Sequence, residues 1–325
     1  MYEQLVAPLN IHFQSAYNRL TDSPLAIISE VNNHVHSTQG KQLRPLLTML
    51  TACCCGLPLD VEADHPIFAI TAAIETLHSS TLIHDDVVDN SDTRRGQPSV
   101  NSRWGNKVAV LVGDFYLAKV MQTLNKVDNK EITSIINDAV IQMSEGELLQ
   151  QQHSGNYSAD SDIYLAIIER KTASFMAACC QVGATFATSD KQLREQARLF
   201  GINIGLAFQI RDDILDYQPS SVSGKPQGND LREGKCTLPL IYALSHSTDE
   251  TKEKILTLLK KTPLSDTNIQ TIIKMVDENG HLTSASKTLN HYLTLAHNAL
   301  QKLPDNKYRE ALIELTEKLN KPIIH

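Results

Sequence analysis

The chain has 325 residues, 42% hydrophobic and 21% charged, with a formal net charge of −7, which fits a globular protein with a large core. The mild acidity argues against a nucleic-acid-binding surface. The opening MYEQLVAPLN has no basic stretch ahead of an apolar run, and no window reaches about 18 uninterrupted apolar residues; a cytoplasmic protein with at most transient membrane contact is expected.

Three-to-four spacing of apolar residues predicts helices over about 2–20, 24–37, 42–55, 64–90, 106–127, 129–153, 160–187 and 190–217, with several more between 237 and 320. Strand alternation is scarce, so the expected fold is all-α, one domain over residues 1–325. Turn formers interrupt the pattern at 90–106 and 218–230, each directly after an acidic motif. Linkers separate cores, whereas these stretches separate aspartates from basic residues; both read as active-site loops. Cys53, Cys54, Cys55, Cys179 and Cys180 lie in apolar runs without C-x-x-C spacing and read, with Cys236, as thiols of a reducing compartment that carry no function.

The chemistry is concentrated in an internal echo. IHDDVVD at 83–89 recurs as IRDDILD at 210–216, both of the form DDxxD. Aspartates four apart share a helix face, and two carboxylates about 4 Å apart at an effective dielectric of about 20 repel by roughly 4 kcal/mol, so a cation is needed. One such motif can be an exposed acidic face; two in matching helical contexts argue against that. If the two helices face each other, Asp85 and Asp89 oppose Asp212 and Asp216, an oxygen-only set suited to Mg²⁺ completed by substrate phosphates. A single Lys or Arg is ordinarily a solvated group. Lys41, Arg44, Arg94, Arg95, Lys171, Lys225 and Lys235 cluster in sequence around these motifs, however, and point to diphosphates, more than one.

In this order, GKQLRP, HDDVVDNSDTRRG, GDF, KTA, FQIRDDILDY and GKPQGNDLREGK resemble the trans-type polyprenyl diphosphate synthases, between about Gly40 and Leu240. The resemblance implies an isoprenoid-synthase fold, a single large helical bundle around a deep central cavity, and a homodimer. It implies head-to-tail condensation of isopentenyl diphosphate onto an allylic diphosphate such as farnesyl diphosphate. The implied product is octaprenyl diphosphate, precursor of a respiratory-quinone side chain, with hexaprenyl to decaprenyl lengths as alternatives. It assigns Asp85, Asp89 and Asp212 to Mg²⁺, with Asp86, Asp213 and Asp216 in support. Arg94, Lys171, Thr172, Gln209, Lys225 and Lys235 then match the allylic diphosphate site, the lysines stabilising the departing charge, while Lys41, Arg44, His78 and Arg95 match the isopentenyl diphosphate pocket. A lone His on an apolar helix is ordinarily core, but His78 lies two turns before Asp85 on nearly the same face.

Short-chain members of the family block the tail pocket with aromatic rings where this chain has Ser80 and Thr81, so the gate is expected to be open, with Met121 and Leu124 as candidate floor residues. Arg211, Asn229 and Cys236 depart from the family pattern; Arg211 is expected to face solvent. Glu145 and Glu147 are expected to be supporting residues. A class I terpene cyclase needs no isopentenyl site, so Lys41, Arg44 and Arg95 argue against it. A noncatalytic prenyl synthase subunit typically loses one aspartate motif, and this chain keeps both.

Overall fold

The computed structural model describes residues 5–37, 40, 42–219, 227–261 and 263–319. Lys41 and Lys225 lie outside them. Among the described residues the chain is helical apart from one two-stranded hairpin. The helices are α1 (Ala7–Thr21), α2 (Ala26–Ser37), α3 (Leu43–Cys54), α4 (Pro66–Val88), α5 (Val100–Trp104), α6 (Asn106–Val127), α7 (Lys130–His153), α8 (Ser161–Ile168), α9 (Ser174–Ala187) and α10 (Lys191–Asp216). They continue with α11 (Asn229–Arg232), α12 (Leu238–His246), α13 (Asp249–Leu259), α14 (Asp266–Glu278), α15 (His281–Leu300) and α16 (Lys307–Leu319).

The chain forms two compact units. Unit 1 draws on Met1–Ile136, Cys179–Glu195 and Leu303–Leu312; unit 2 draws on Asn137–Ala178, Gln196–Lys302 and Ile313–His325. In unit 1, α4 is the central element and packs against α1, α3, α5 and α6. Pro66 starts it at the first helical position, where the missing N–H costs nothing. Asn90, at φ 50°, ends it just after Asp89 in the left-handed conformation that asparagine tolerates. By length and composition α4 is apolar enough to cross a membrane, but 72% of its apolar window is buried within the chain, as in a core helix. Beside it Ile83, Val100, Ala109, Val112 and Tyr116 close a cluster with Val31, and the Tyr116 hydroxyl donates to Asn32 Oδ1 at 2.7 Å. In unit 2, α12 packs against α8, α13, α14 and α15.

The expected helices form with small shifts at their ends, and three local features differ from the expectation. The 90–106 stretch holds a hairpin, Thr93–Arg94 paired with Gln97–Pro98, followed by α5. The two turn residues, Arg95 and Gly96, have φ of 53° and 77°, the pattern of a type I′ turn. The 160–187 helix is interrupted by a π-helical segment, Glu169–Ala173, between α8 and α9. The 218–230 stretch begins the short α11. Cys53, Cys54, Cys55, Cys179 and Cys180 are buried and free, and burial pushes the Cys53, Cys54 and Cys179 thiols up to about 12.

Candidate active site

Both aspartate motifs lie in the last turn of a long helix, Asp85, Asp86 and Asp89 at the end of α4 and Asp212, Asp213 and Asp216 at the end of α10. The negative end of the helix dipole disfavours an anion there by about 0.3–1 kcal/mol, so each motif increases the demand for cations.

In unit 1 part of that demand is met by the hairpin. Its tight turn carries Arg94 back to α4, where Nε and Nη2 fork onto the Asp86 carboxylate at 2.7–2.9 Å. Asp86 is only 2% exposed, so its charge is committed to Arg94. Arg95 passes over Gly40, where a Cβ would lie 2.6 Å from the movable guanidinium end of the Arg95 side chain. Arg44 on α3 donates from Nη1 to His78 Nε2 at 3.0 Å. Burial, then Arg44, Arg95 and Arg94, lower the His78 pKa well below the ordinary 6.5. The ring is therefore neutral, with Nε2 as acceptor and the proton on Nδ1.

One turn before His78 sits Glu75, 6% exposed. Burial raises its pKa while Arg44 and Arg95 pull it down. Glu75, His78, Ser79, Asp86, Arg94 and Arg95 line one cavity. Behind it, His84 packs on Gly113 of α6, where a Cβ would lie 2.2 Å from Nε2, and Ser80 donates to the Gly113 carbonyl at 2.8 Å. GDF is thus the seat on which α4 docks.

In unit 2 the π-helical segment presents Lys171 and Thr172. A Cβ on Gly146 of α7 would lie 2.6 Å from the Lys171 backbone nitrogen, so only glycine lets α7 come this close. Lys171 pairs with Glu147, while Arg170 lies 3.9 Å from Glu145. Thr172 donates to Gln209 Oε1 at 3.0 Å, Gln209 donates to Asp213 Oδ1 at 2.8 Å, and the Tyr164 hydroxyl donates to Asp213 Oδ2 at 2.6 Å. Burial raises the Asp213 carboxyl to about 6 against these hydrogen bonds. Asp216 caps α11, accepting from the backbone N–H groups of Asn229 at 3.0 Å and Asp230 at 3.2 Å. Any residue except proline at 229 supplies that N–H, so the asparagine leaves this contact intact. Lys235 pairs with Glu233, and Cys236 Sγ reaches the Ser158 carbonyl at 3.5 Å. Tyr164, Lys171, Gln209, Asp213, Asp230 and Lys235 line a second cavity.

Among the described residues no three His, Cys, Asp or Glu side chains are gathered closely enough to hold an ion alone. The partly exposed Asp85, Asp89 and Asp212 offer oxygen donors only. Within each unit, carboxylates of this kind fit a hard divalent cation whose shell is completed by water and substrate phosphates.

A Polyprenyl synthetase family model matches residues 25–276. The chain belongs to the polyprenyl synthetase family. It is 36% identical to an all-trans-nonaprenyl-diphosphate synthase (geranyl-diphosphate specific) of Rhodobacter capsulatus, over 97% of this chain and 96% of the relative. It is 32% identical to the octaprenyl diphosphate synthase of Escherichia coli, over 90% of each. The crystal structure of a polyprenyl synthase from Caulobacter crescentus, complexed with calcium and isoprenyl diphosphate, superposes with a TM-score of 0.90 at 32% identity, covering 99% of this chain and 97% of that one. Membership in the polyprenyl synthetase family makes the chain a prenyltransferase with an all-α fold.

Two expectations are corrected. Met121 is 57% exposed on α6 and encloses nothing within the chain as a pocket floor requires; Leu124, about one turn further along that helix, is buried at 5%. Arg211 does not simply face solvent: it is half-buried, and its Nε is shielded from water with no hydrogen-bond partner among the described residues. Of the proposed gate pair, Ser80 is 3% exposed and bonded to α6, while Thr81 is half-buried and bonds the His78 carbonyl of its own helix. Glu75, Tyr164 and Asp230 are site residues that sequence reasoning missed. For Glu75 the available signal was a carboxylate inside the apolar first half of α4, PIFAITAAIETL.

Proposed function

We propose that this polyprenyl synthetase family member is a Mg²⁺-dependent, long-chain trans-polyprenyl diphosphate synthase. It condenses isopentenyl diphosphate head to tail onto an allylic diphosphate such as farnesyl diphosphate. The observation that carries the reading is that each unit joins an aspartate motif at a helix C-terminus to its own cations: Arg94 and Arg95 line a cavity with Asp86 in one, and Lys171 and Lys235 line a cavity with Asp213 in the other. Two diphosphate substrates need two such sets; a cyclase or a noncatalytic subunit does not.

In this reading Asp85, Asp89 and Asp212 hold the metal, which when bound supplies positive charge to the leaving diphosphate. Lys171, Lys225 and Lys235 add charge that is worth more as the allylic C–O bond breaks than before it breaks. Thr172 and Gln209 orient the same group. Lys41, Arg44 and Arg95 hold isopentenyl diphosphate so that its alkene attacks the allylic cation, and the released diphosphate takes the proton. Both units act as one catalytic domain. The product is octaprenyl diphosphate for a respiratory quinone, within a hexaprenyl to decaprenyl range supported by the octaprenyl and nonaprenyl relatives. The enzyme works in the cytoplasm as a homodimer, for which the exposed Val110, Leu111 and Met121 of α6 offer contact surface, and meets the membrane at product release.

Asp85→Ala and Asp212→Ala each remove a proposed ligand and should lower turnover far more than tenfold while circular dichroism stays helical. Retention of more than about a tenth of wild-type rate, a loss below about 1.4 kcal/mol, contradicts direct ligation.

A further inference from the structure

We infer that Tyr164 is a positioning residue for the allylic diphosphate site, acting through Asp213 and Gln209 on Thr172. The inference rests on the function proposed above. Tyr164 lies in DIYLAII on α8, among apolar neighbours where a tyrosine ordinarily serves as core. Its hydroxyl instead donates to Asp213 Oδ2 at 2.6 Å, and both side chains are buried, at 5% and 4% exposure.

Counting donors shows what the bond does. Asp213 takes Tyr164 on one oxygen and the Gln209 amide on the other, at 2.8 Å. With Nε2 drawn to Asp213, Gln209 must turn Oε1 toward Thr172, whose only hydroxyl proton is spent on it at 3.0 Å. The chain Thr172, Gln209, Asp213, Tyr164 thus joins the π-helical segment, α10 and α8, with each group held by the next. The second Gln209 N–H is the amide donor left over, and the orientation imposed at Asp213 determines where it points. Without the phenol, Asp213 has a buried oxygen lacking its donor and competes for both Gln209 protons, so Gln209 and Thr172 lose their common orientation.

The test is Tyr164→Phe in the full chain, which keeps the ring and removes one oxygen. Initial rates with Mg²⁺ are read while farnesyl diphosphate and isopentenyl diphosphate are varied separately. Calorimetric titration with farnesyl diphosphate and Mg²⁺, without isopentenyl diphosphate, reads binding apart from turnover. KM and Kd for farnesyl diphosphate should rise roughly tenfold, KM for isopentenyl diphosphate should change less than about twofold, and helicity should be retained. In a Gln209→Met background Tyr164→Phe should add nothing, because both break the same chain. Unchanged farnesyl diphosphate affinity with only a lower melting temperature makes Tyr164 a core residue and overturns the inference. So do equal losses for both substrates, or additivity with Gln209→Met. Should Tyr164→Phe not fold, Gln209→Met alone must show the allylic-selective loss, and its absence overturns the inference too. Wild-type elongation in the same assay tests the functional reading separately: a wild type that binds but does not elongate sinks that reading, not the role of Tyr164.

Discussion

His78 shows how much a single residue depends on its neighbours. The family resemblance puts it in the isopentenyl diphosphate pocket, and in the structure burial and three arginines keep the ring neutral while its Nε2 accepts from Arg44. The sign of the pH effect follows. The unfolded chain protonates this histidine near pH 6.5 and the native one only well below that, so the native state loses stability as pH falls through 6.5 and keeps losing it down to the folded pKa. Above pH 6.5 the contribution is fully present. The charged groups acting on the ring are Arg44 on α3 and Arg94 and Arg95 on the hairpin, and Glu75 of its own helix lines the same cavity. Urea unfolding of wild type and His78→Gln at pH 7.5 and 5.5 should show a larger acid loss in wild type; equal losses would mean that His78 is protonated in the folded state. Glu75 and Tyr164 were hidden in the sequence for a related reason: their partners are Arg44 and Arg95 for one and Asp213 for the other, and no local pattern links them.

At the scale of elements, legibility followed repetition. Long amphipathic helices repeat their signal over several turns, so 106–127 was expected and Asn106–Val127 is observed. The hairpin has two residues per strand and the π-helical segment five, too few to repeat anything. A helix also shows which residues share a face without showing what covers it, and for that reason Met121 read as a floor and proves to be surface. Thr81, the proposed gate residue on α4 four residues before Asp85, is half-buried and donates to the His78 carbonyl of its own helix. A phenylalanine there would stand where a growing tail leaves the first aspartate motif. Thr81→Phe should therefore shorten products toward fifteen or twenty carbons while the first condensation persists. Chromatography of the dephosphorylated products reads this, and an unchanged length would mean that the tail takes another path.

For the whole molecule, the motif pairs and the family were legible because diphosphate chemistry demands charged residues in apolar helices, and such residues stand out. The hydrogen-bonded chain behind Asp213 and the Asp86–Arg94 pair were not, because no local pattern shows which polar groups will meet once the chain folds. The central claim is that two anion-binding sets serve one elongation reaction with a long product. Its most direct measurement is incubation of the full chain with farnesyl diphosphate, excess isopentenyl diphosphate and Mg²⁺, followed by mass analysis of the dephosphorylated products. The expected result is a ladder ending at octaprenol or a close neighbour between hexaprenol and decaprenol, abolished by a chelator and restored by Mg²⁺. Unconsumed isopentenyl diphosphate, a cyclised hydrocarbon made from farnesyl diphosphate alone, or elongation that stops at twenty carbons would contradict it.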